Sequence, residues 1–144
     1  MTPPERGAVI RYAYLRADAA AHGREEAEKD RPVLVLALSI KEADRATELL
    51  VLAITHARPA DPADAVPLSR DIKRRIGLDE APSWVVTTEA NAFVWPGPDL
   101  RPVPGRTPAT ITYGQVPHQF LSRVATSYLA NREKQRRRLV RRTE

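Results

Sequence analysis

The chain has 144 residues, 42% of them hydrophobic, and no cysteine. This length fits one domain with one core. The lack of cysteine excludes disulfides, thiolate zinc sites and cysteine nucleophiles. No apolar run approaches the roughly 18 residues that a bilayer span needs, and the polar N-terminus does not resemble a secretory signal. We therefore expect no membrane partner and a cytoplasmic location.

The net charge of +5 is concentrated at the C-terminus. Residues 132–144 hold seven basic and two acidic side chains, whereas residues 1–131 hold equal numbers of each. We therefore divide the chain into a domain over residues 1–131 and a basic tail over residues 132–144, whose end we expect to be frayed. A high isoelectric point can indicate nucleic-acid binding, but here the tail alone produces it.

The first half of the chain predicts three strands. Residues 7–15 alternate in a way that favours a strand with one polar and one apolar face. Residues 17–30 fit either a helix or a long charged loop, since Gly23 weakens a helix. Residues 31–38 and 47–55 are continuous apolar runs, typical of strands buried on both faces and joined here by a charged hairpin.

The second half predicts two helices and two further strands. Prolines make residues 58–67 a loop, and a short helix follows, which Ser69 can cap and Gly77 can end. Strands are predicted at residues 83–88 and 91–95, and a loop or edge strand at residues 100–108. A terminal helix beginning near Pro117 should bury one apolar stripe: Phe120, Leu121, Val124, Tyr128 and Leu129.

Several strands in succession with few helices argue against a parallel Rossmann-type sheet. The pattern predicts a mainly β (α+β) fold, a small antiparallel β-barrel with a short helix and a C-terminal helix.

Several short motifs follow one another in a familiar order. They are Gly7, a glutamate-bearing loop at residues 23–30, Arg-Pro-Val-Leu-Val at 31–35, Leu-Ala-Ile-Thr at 52–55, Gly-Leu-Asp at 77–79, and a strand ending at Glu89. In this order and spacing, over roughly residues 7–95, the chain resembles toxins of the MazF/PemK family. It departs from them after Glu89, where Ala-Asn-Ala-Phe replaces the usual glutamine and basic or polar stretch.

The resemblance implies an SH3-like barrel and the toxin component of a type II toxin–antitoxin system. Such toxins are endoribonucleases that cut single-stranded RNA without a metal or cofactor, by attack of the ribose 2′-hydroxyl on the adjacent phosphate. They are usually homodimers, and a cognate antitoxin protein binds them. The alternative is a non-catalytic SH3-like barrel that binds RNA or a protein partner.

Four residues are candidates for catalysis. Carried over from the family, Arg31 would stabilise the pentavalent phosphate and Thr55 would hydrogen-bond a phosphate oxygen. His56 could move protons, although adjacent strand residues point to opposite sides, so it can join Thr55 only if the strand has ended. Glu25 could accept a proton or order its loop. Ordinary structural roles remain open for all four, such as a surface arginine or solvated loop charge.

Four further residues are candidates for RNA binding. Glu89 could pair with Arg31 across strands and hold it in place, and Asn91 begins the next strand. Phe93 and Trp95 could stack on RNA bases. Aromatic residues at strand positions more often belong to a core, and that alternative stays open.

Overall fold

The computed structural model describes residues 2–14 and 29–143. Within these ranges seven strands and two α-helices are found. The strands are β1 (Ala8–Tyr14), β2 (Lys29–Ile40), β3 (Thr47–Thr55), β4 (Ala65–Pro67), β5 (Trp84–Val86), β6 (Asn91–Val94) and β7 (Thr112–Gln115). The helices are α1 (Arg70–Ile76) and α2 (His118–Thr143), and a 3-10 turn covers Pro62–Asp64. No helix of the described ranges combines the length and apolar character of a membrane span.

The strands form one sheet in the order β4-β5-β3-β2-β1-β7, in which every strand pairing within the described ranges is antiparallel. Strand β3 is long enough to have two partners on one edge. Its first half pairs with β6 and its last two residues pair with β5. The predicted mainly β, α+β fold is confirmed. The path is open, because no pairing within residues 2–14 and 29–143 joins β4 to β7.

The central strands are buried on both faces, as their continuous apolar runs predict. In β2, Leu34 and Leu36 belong to one core cluster, and Val33 and Val35 belong to a second on the opposite face. Strand β1 behaves in the same way, with six of its seven residues buried. The prediction of a polar face on β1 is therefore wrong, because both of its faces are covered.

The first core cluster lies between the two ends of the sheet. It contains Val66 and Val85 from β4 and β5, and Val9 from β1. Phe120 and Val124 of α2 also belong to it. Register shifts interrupt the pairing of β1 with β7 and of β2 with β3, and bulges of this kind bend the strands that carry them.

Helix α1 has the ends that the sequence predicts. The Ser69 hydroxyl accepts a hydrogen bond from the Ile72 N–H at 3.2 Å, which satisfies one of the unpaired donors of the first turn. Gly77 ends the helix with φ of 71°, a left-handed conformation that glycine adopts without steric cost.

Two irregular segments differ from the prediction. Residues 58–67 are not only a loop, since they include the 3-10 turn and the short strand β4. Strand β7 is absent from the predicted elements, because its four residues do not alternate and Gly114 interrupts them. A Cβ at Gly114 would lie 3.1 Å from the Ile76 Cα, so the glycine allows α1 to pack closely against β7.

Helix α2 confirms most of the predicted stripe. Phe120, Leu121, Val124 and Tyr128 are buried, but Leu129 is 64% exposed. Asn131, one turn beyond Tyr128, is also buried. The helix does not end at Arg132, where the apolar stripe stops, but continues to Thr143.

Candidate functional site

A cleft of about 610 Å³ opens beside the end of the β2–β3 pair. Residues 30–32 at the start of β2 and residues 54–57 at the end of β3 form one wall. The C-terminus of α1, at residues 77–79, and residues 103–106 of the loop before β7 lie around it, with Tyr113 of β7. The antiparallel pairing of β2 with β3 thus brings together two segments more than 20 residues apart in sequence.

Arg31 and Thr55 both line this cleft. The β2–β3 register pairs Val33 with Ala53, and Arg31 and Thr55 each lie two residues from this pair, so the alternation of side chains along strands places them on one face of the ribbon. The Nε atom of Arg31 is buried. Thr55 Oγ1 accepts a hydrogen bond from the Ala57 N–H at 3.1 Å, which leaves the hydroxyl proton able to donate to a bound anion.

His56 lines the same cleft because β3 ends at Thr55. Its Nδ1 lies 2.9 Å from the Pro82 carbonyl oxygen, and its Nε2 lies 3.0 Å from Asp79 Oδ2. Carbonyl and carboxylate oxygens only accept hydrogen bonds, so a neutral ring, with one N–H, can donate to only one of them, whereas a doubly protonated ring can donate to both.

Asp79 connects His56 to a buried lysine of α1. The Lys73 side chain is 5% exposed, and its ammonium group donates to Asp79 Oδ1 at 3.1 Å and to the Ala81 carbonyl. Burial alone would raise the pKa of Asp79. The hydrogen bond from Lys73 and the charge of His56 outweigh that effect and lower the pKa below its ordinary value. The carboxylate therefore holds the imidazole against the cleft wall.

Ser83 completes this group but is not arranged as a nucleophile. Its Oγ lies 3.1 Å from His56 Nδ1 and donates to the Ala81 carbonyl at 3.3 Å. The residue is 3% exposed, and Nδ1 also faces the Pro82 carbonyl. The histidine therefore cannot accept the serine proton while its Nδ1 donates to the Pro82 carbonyl. The hydrogen bonds among Ser83, His56 and Asp79 are structural and do not form a catalytic triad.

The cleft carries an excess of positive charge among its described lining residues. Three arginines line it, Arg11, Arg31 and Arg106, against two aspartates. Asp30 pairs with Arg101 at 3.5 Å, and Asp79 pairs with Lys73 and His56. Because both carboxylates have cationic partners, the guanidinium groups determine the sign of the potential, which favours an anion such as phosphate.

The other predicted site residues lie elsewhere. Glu25 lies outside the described residues. Glu89, Asn91, Phe93 and Trp95 are half-buried and belong to β6 and the residues flanking it, and none of them is among the described residues that line the cleft. Phe93 stacks on Tyr12 with ring centroids 4.5 Å apart, and Trp95 packs against the second core cluster. The predicted RNA-facing strand is thus separate from the cleft.

The comparison with protein-family models and the comparison with curated proteins both find no match for this chain. The case for a function therefore depends on the cleft and on the motifs in the sequence.

Sequence reasoning missed several members of this site, among them Arg11, Lys73, Arg106 and Tyr113. One sequence feature could have identified Arg11, because it is the one charged residue among the apolar residues of β1. A sequence feature also distinguishes Lys73, because it lies between Ile72 and Ile76 on a short amphipathic helix. Arg106 and Tyr113 have none, because they come from a proline-rich loop and an unpredicted strand.

Proposed function

We propose that this protein is a metal-independent endoribonuclease that cleaves single-stranded RNA, the toxin component of a type II toxin–antitoxin system similar to MazF/PemK toxins. One observation carries the proposal. Arg31 and Thr55, the two residues that the resemblance assigns to phosphate, line the same positively charged cleft although 24 positions separate them.

The chemistry that suits this cleft is transesterification within the RNA chain. The ribose 2′-oxygen forms a bond to the neighbouring phosphorus while the bond to the 5′-oxygen breaks, giving a cyclic phosphate and a free 5′-hydroxyl. Arg31 stabilises the extra negative charge of the pentavalent phosphorus. The Thr55 hydroxyl donates to one of the phosphate oxygens, as its bond from Ala57 leaves its proton available.

The two proton transfers need a base and an acid. His56 is our candidate for the acid because it lines the cleft, and its ring would release one of its two contacts, to Pro82 or to Asp79, to give a proton to the departing 5′-oxygen. Glu25, in the glutamate-bearing loop, is our candidate for the base that takes the 2′-hydroxyl proton.

The proposal also covers the type of fold, the oligomeric state and the protein partner. We propose that the curved sheet is a variant of the SH3-like barrel, that the protein acts in the cytoplasm as a homodimer, and that an antitoxin protein inhibits it. The exposed basic residues of α2 support binding of an acidic antitoxin segment, because such a segment can fold onto a positively charged helix.

The alternative is a non-catalytic barrel of this type that binds RNA or a protein partner. Two observations favour it: both ring nitrogens of His56 are engaged by the protein itself, and Phe93 and Trp95 pack against the core instead of the cleft. Under this alternative, Arg31 and Thr55 would hold an anion without breaking a bond.

The test is cleavage of single-stranded RNA by the purified protein in EDTA. We expect products with a cyclic phosphate and a 5′-hydroxyl, and a loss of at least about 100-fold in rate in Arg31→Ala, since removing one transition-state donor typically costs that much. Arg123→Ala is the matched control, because it removes an exposed arginine from α2 and should cleave normally. Binding without cleavage would favour the alternative in its RNA-binding form, and neither binding nor cleavage would leave only a barrel that binds a protein partner.

A further inference from the structure

The ring of Tyr113 is held on the cleft wall by two arginines. Arg11 Nη1 donates to the Tyr113 hydroxyl at 2.9 Å, and the Arg106 guanidinium carbon lies 5.7 Å from the ring centroid. Both arginines line the same cleft. The ring is half-buried and packs against the first core cluster, and the rest of its surface lines the cleft.

Arg106 is itself fixed by the backbone. Its Nη1 donates to the carbonyls of Thr112 and Tyr113 at 3.0 and 2.8 Å, and its Nη2 donates to the Ile76 carbonyl at the end of α1 at 3.2 Å. A guanidinium with three such hydrogen bonds has little freedom left. Because the fold has already ordered the tyrosine and its support, a ligand that stacks there loses little further entropy on binding.

Arg11 keeps its charge available beside this ring. The tyrosine hydroxyl that it contacts is neutral, and a guanidinium has five N–H donors, of which this hydrogen bond uses one. The side chain is half-exposed. On the β1–β2 ribbon Arg11 lies opposite Pro32 and next to the Tyr12–Arg31 pair, so the two arginines lie on neighbouring strands, whose axes are about 4.8 Å apart, and both line the cleft.

We propose that Tyr113 and Arg11 form a subsite for one nucleotide of a single-stranded RNA, with the base stacked on the Tyr113 ring and the phosphate bound by Arg11. Base stacking on aromatic rings is tolerant of sequence, and arginine matches phosphate in geometry and charge. The inference rests on the proposed function. It adds that the nucleotide beside the scissile phosphate is bound by β1 and β7 and not by the aromatic residues of β6.

The first experiment measures binding separately from cleavage. The probe is a fluorescent 2′-O-methyl oligoribonucleotide, which lacks the free 2′-hydroxyl that the reaction needs, and the readout is anisotropy. We expect Tyr113→Leu to weaken binding roughly 5- to 100-fold, as loss of one stacked base predicts, and Arg11→Gln to make the salt dependence shallower. Arg123→Gln, which removes an exposed charge from α2, should bind like the wild type.

A second measurement keeps the test valid if Tyr113→Leu loses stability. Oligonucleotides with one abasic position, moved along the chain, should show one position at which the wild type loses most affinity. In Tyr113→Leu that position should cost no further affinity, whereas Tyr113→Phe, which keeps the ring and the packing, should behave like the wild type. An abasic penalty that is the same in the wild type and in Tyr113→Leu would overturn the subsite.

Cleavage assays on ordinary RNA distinguish this inference from the proposed function. Tyr113→Leu should raise KM with little change in kcat, whereas Arg31→Ala should lower kcat. If the wild type cleaves and Tyr113→Leu binds and cleaves equally well, the subsite alone is wrong. If binding depends on Tyr113 but the wild type does not cleave, the subsite stands and the ribonuclease proposal is wrong. A wild type that neither binds the probe nor cleaves RNA overturns both.

Discussion

Asp79 holds the candidate site together at the scale of single residues. It is 61% exposed, yet it contacts both the buried Lys73 of α1 and the His56 ring in the cleft. Without it, the lysine would keep a buried positive charge with only the Ala81 carbonyl described as a second partner. The carboxylate therefore links the stability of α1 to the orientation of the histidine.

We predict that Asp79→Asn lowers the free energy of unfolding by about 1 to 2 kcal/mol, because two charge-assisted hydrogen bonds are weakened at a partly exposed position. Urea unfolding measures it. Glu80→Gln is the matched control, since it neutralises the adjacent exposed carboxylate. Equal stability of the two variants would contradict the role given to Asp79.

The same residue should make stability depend on pH in the acid range. The folded pKa of Asp79 is lowered, whereas the unfolded value is about 3.9. Its contribution is therefore fully present above about pH 4 and is lost as the pH falls through the folded pKa. The difference in unfolding free energy between the wild type and Asp79→Asn should shrink in urea titrations below about pH 4.

Gly77 is constrained both by its backbone and by its neighbour. Its φ is 71°, and a Cβ at this position would lie 2.7 Å from Arg106 Nη2. We predict that Gly77→Ala costs about 1 to 2 kcal/mol of stability for the left-handed conformation, and that it also displaces Arg106 from the end of α1.

Gly105 provides the control for that displacement. Its φ is 76°, but a Cβ there would meet nothing within 4 Å. Gly105→Ala should therefore show the backbone cost alone in thermal unfolding. RNA binding by Gly77→Ala, and not by Gly105→Ala, should weaken if Arg106 supports the Tyr113 ring. Equal binding by the two variants would show that the position of Arg106 does not matter for the ligand.

At the scale of elements, α2 is attached to the sheet by a polar network as well as by its apolar stripe. The buried Asn131 amide lies 3.0 Å from the Ala63 carbonyl, 3.2 Å from the Thr87 carbonyl and 3.0 Å from Thr87 Oγ1. Thr87 Oγ1 also lies 2.7 Å from Ser127 Oγ. Ser127 and Asn131, one turn apart on the helix, thus make hydrogen bonds to Thr87, and Asn131 also bonds the Ala63 carbonyl.

We predict that Asn131→Ala lowers the free energy of unfolding by about 2 kcal/mol, because it leaves buried acceptors without a donor. Leu129→Ala should change it by less than about 0.5 kcal/mol, since that side chain faces solvent. Urea unfolding of both variants provides the comparison. A larger effect for Leu129→Ala would mean that the helix packs as its apolar stripe alone predicts.

At the scale of the whole molecule, the charge distribution is uneven. The cleft has a few fixed arginines, whereas the end of α2 has exposed cations such as Arg136 and Arg137, whose described ion pairs are both with Glu133. Exposed pairs of this kind contribute little to stability. Their effect should therefore appear in the ionic-strength dependence of RNA binding.

We predict that changing Arg136 and Arg137 together to glutamine makes the slope of log affinity against log salt shallower, by roughly 0.7 for each RNA phosphate that these arginines neutralise. Anisotropy titrations at several salt concentrations measure it. As a control, changing both Lys41 and Arg45 to glutamine removes the same charge from the β2–β3 hairpin, away from the cleft. This double variant should leave the slope unchanged. Equal slopes for all three proteins would exclude the α2 cations from binding.

The sequence by itself determined the elements whose cause is local. The runs at β2 and β3, the Ser69 and Gly77 ends of α1 and most of the α2 stripe follow from burial and capping, which neighbouring residues specify. It also identified Arg31, Thr55 and His56, three residues that line one cleft.

Only the tertiary structure decided what depends on contacts between distant segments. It covered the second face of β1, left Leu129 exposed and buried Asn131, because these outcomes depend on what packs opposite each position. It also brought Arg11 of β1, Arg106 of the preceding loop and Tyr113 of β7 to one cleft, and β7 is a strand too short and too irregular to predict. Such groups come together through strand pairing across the whole chain, and no local pattern records which strands will pair.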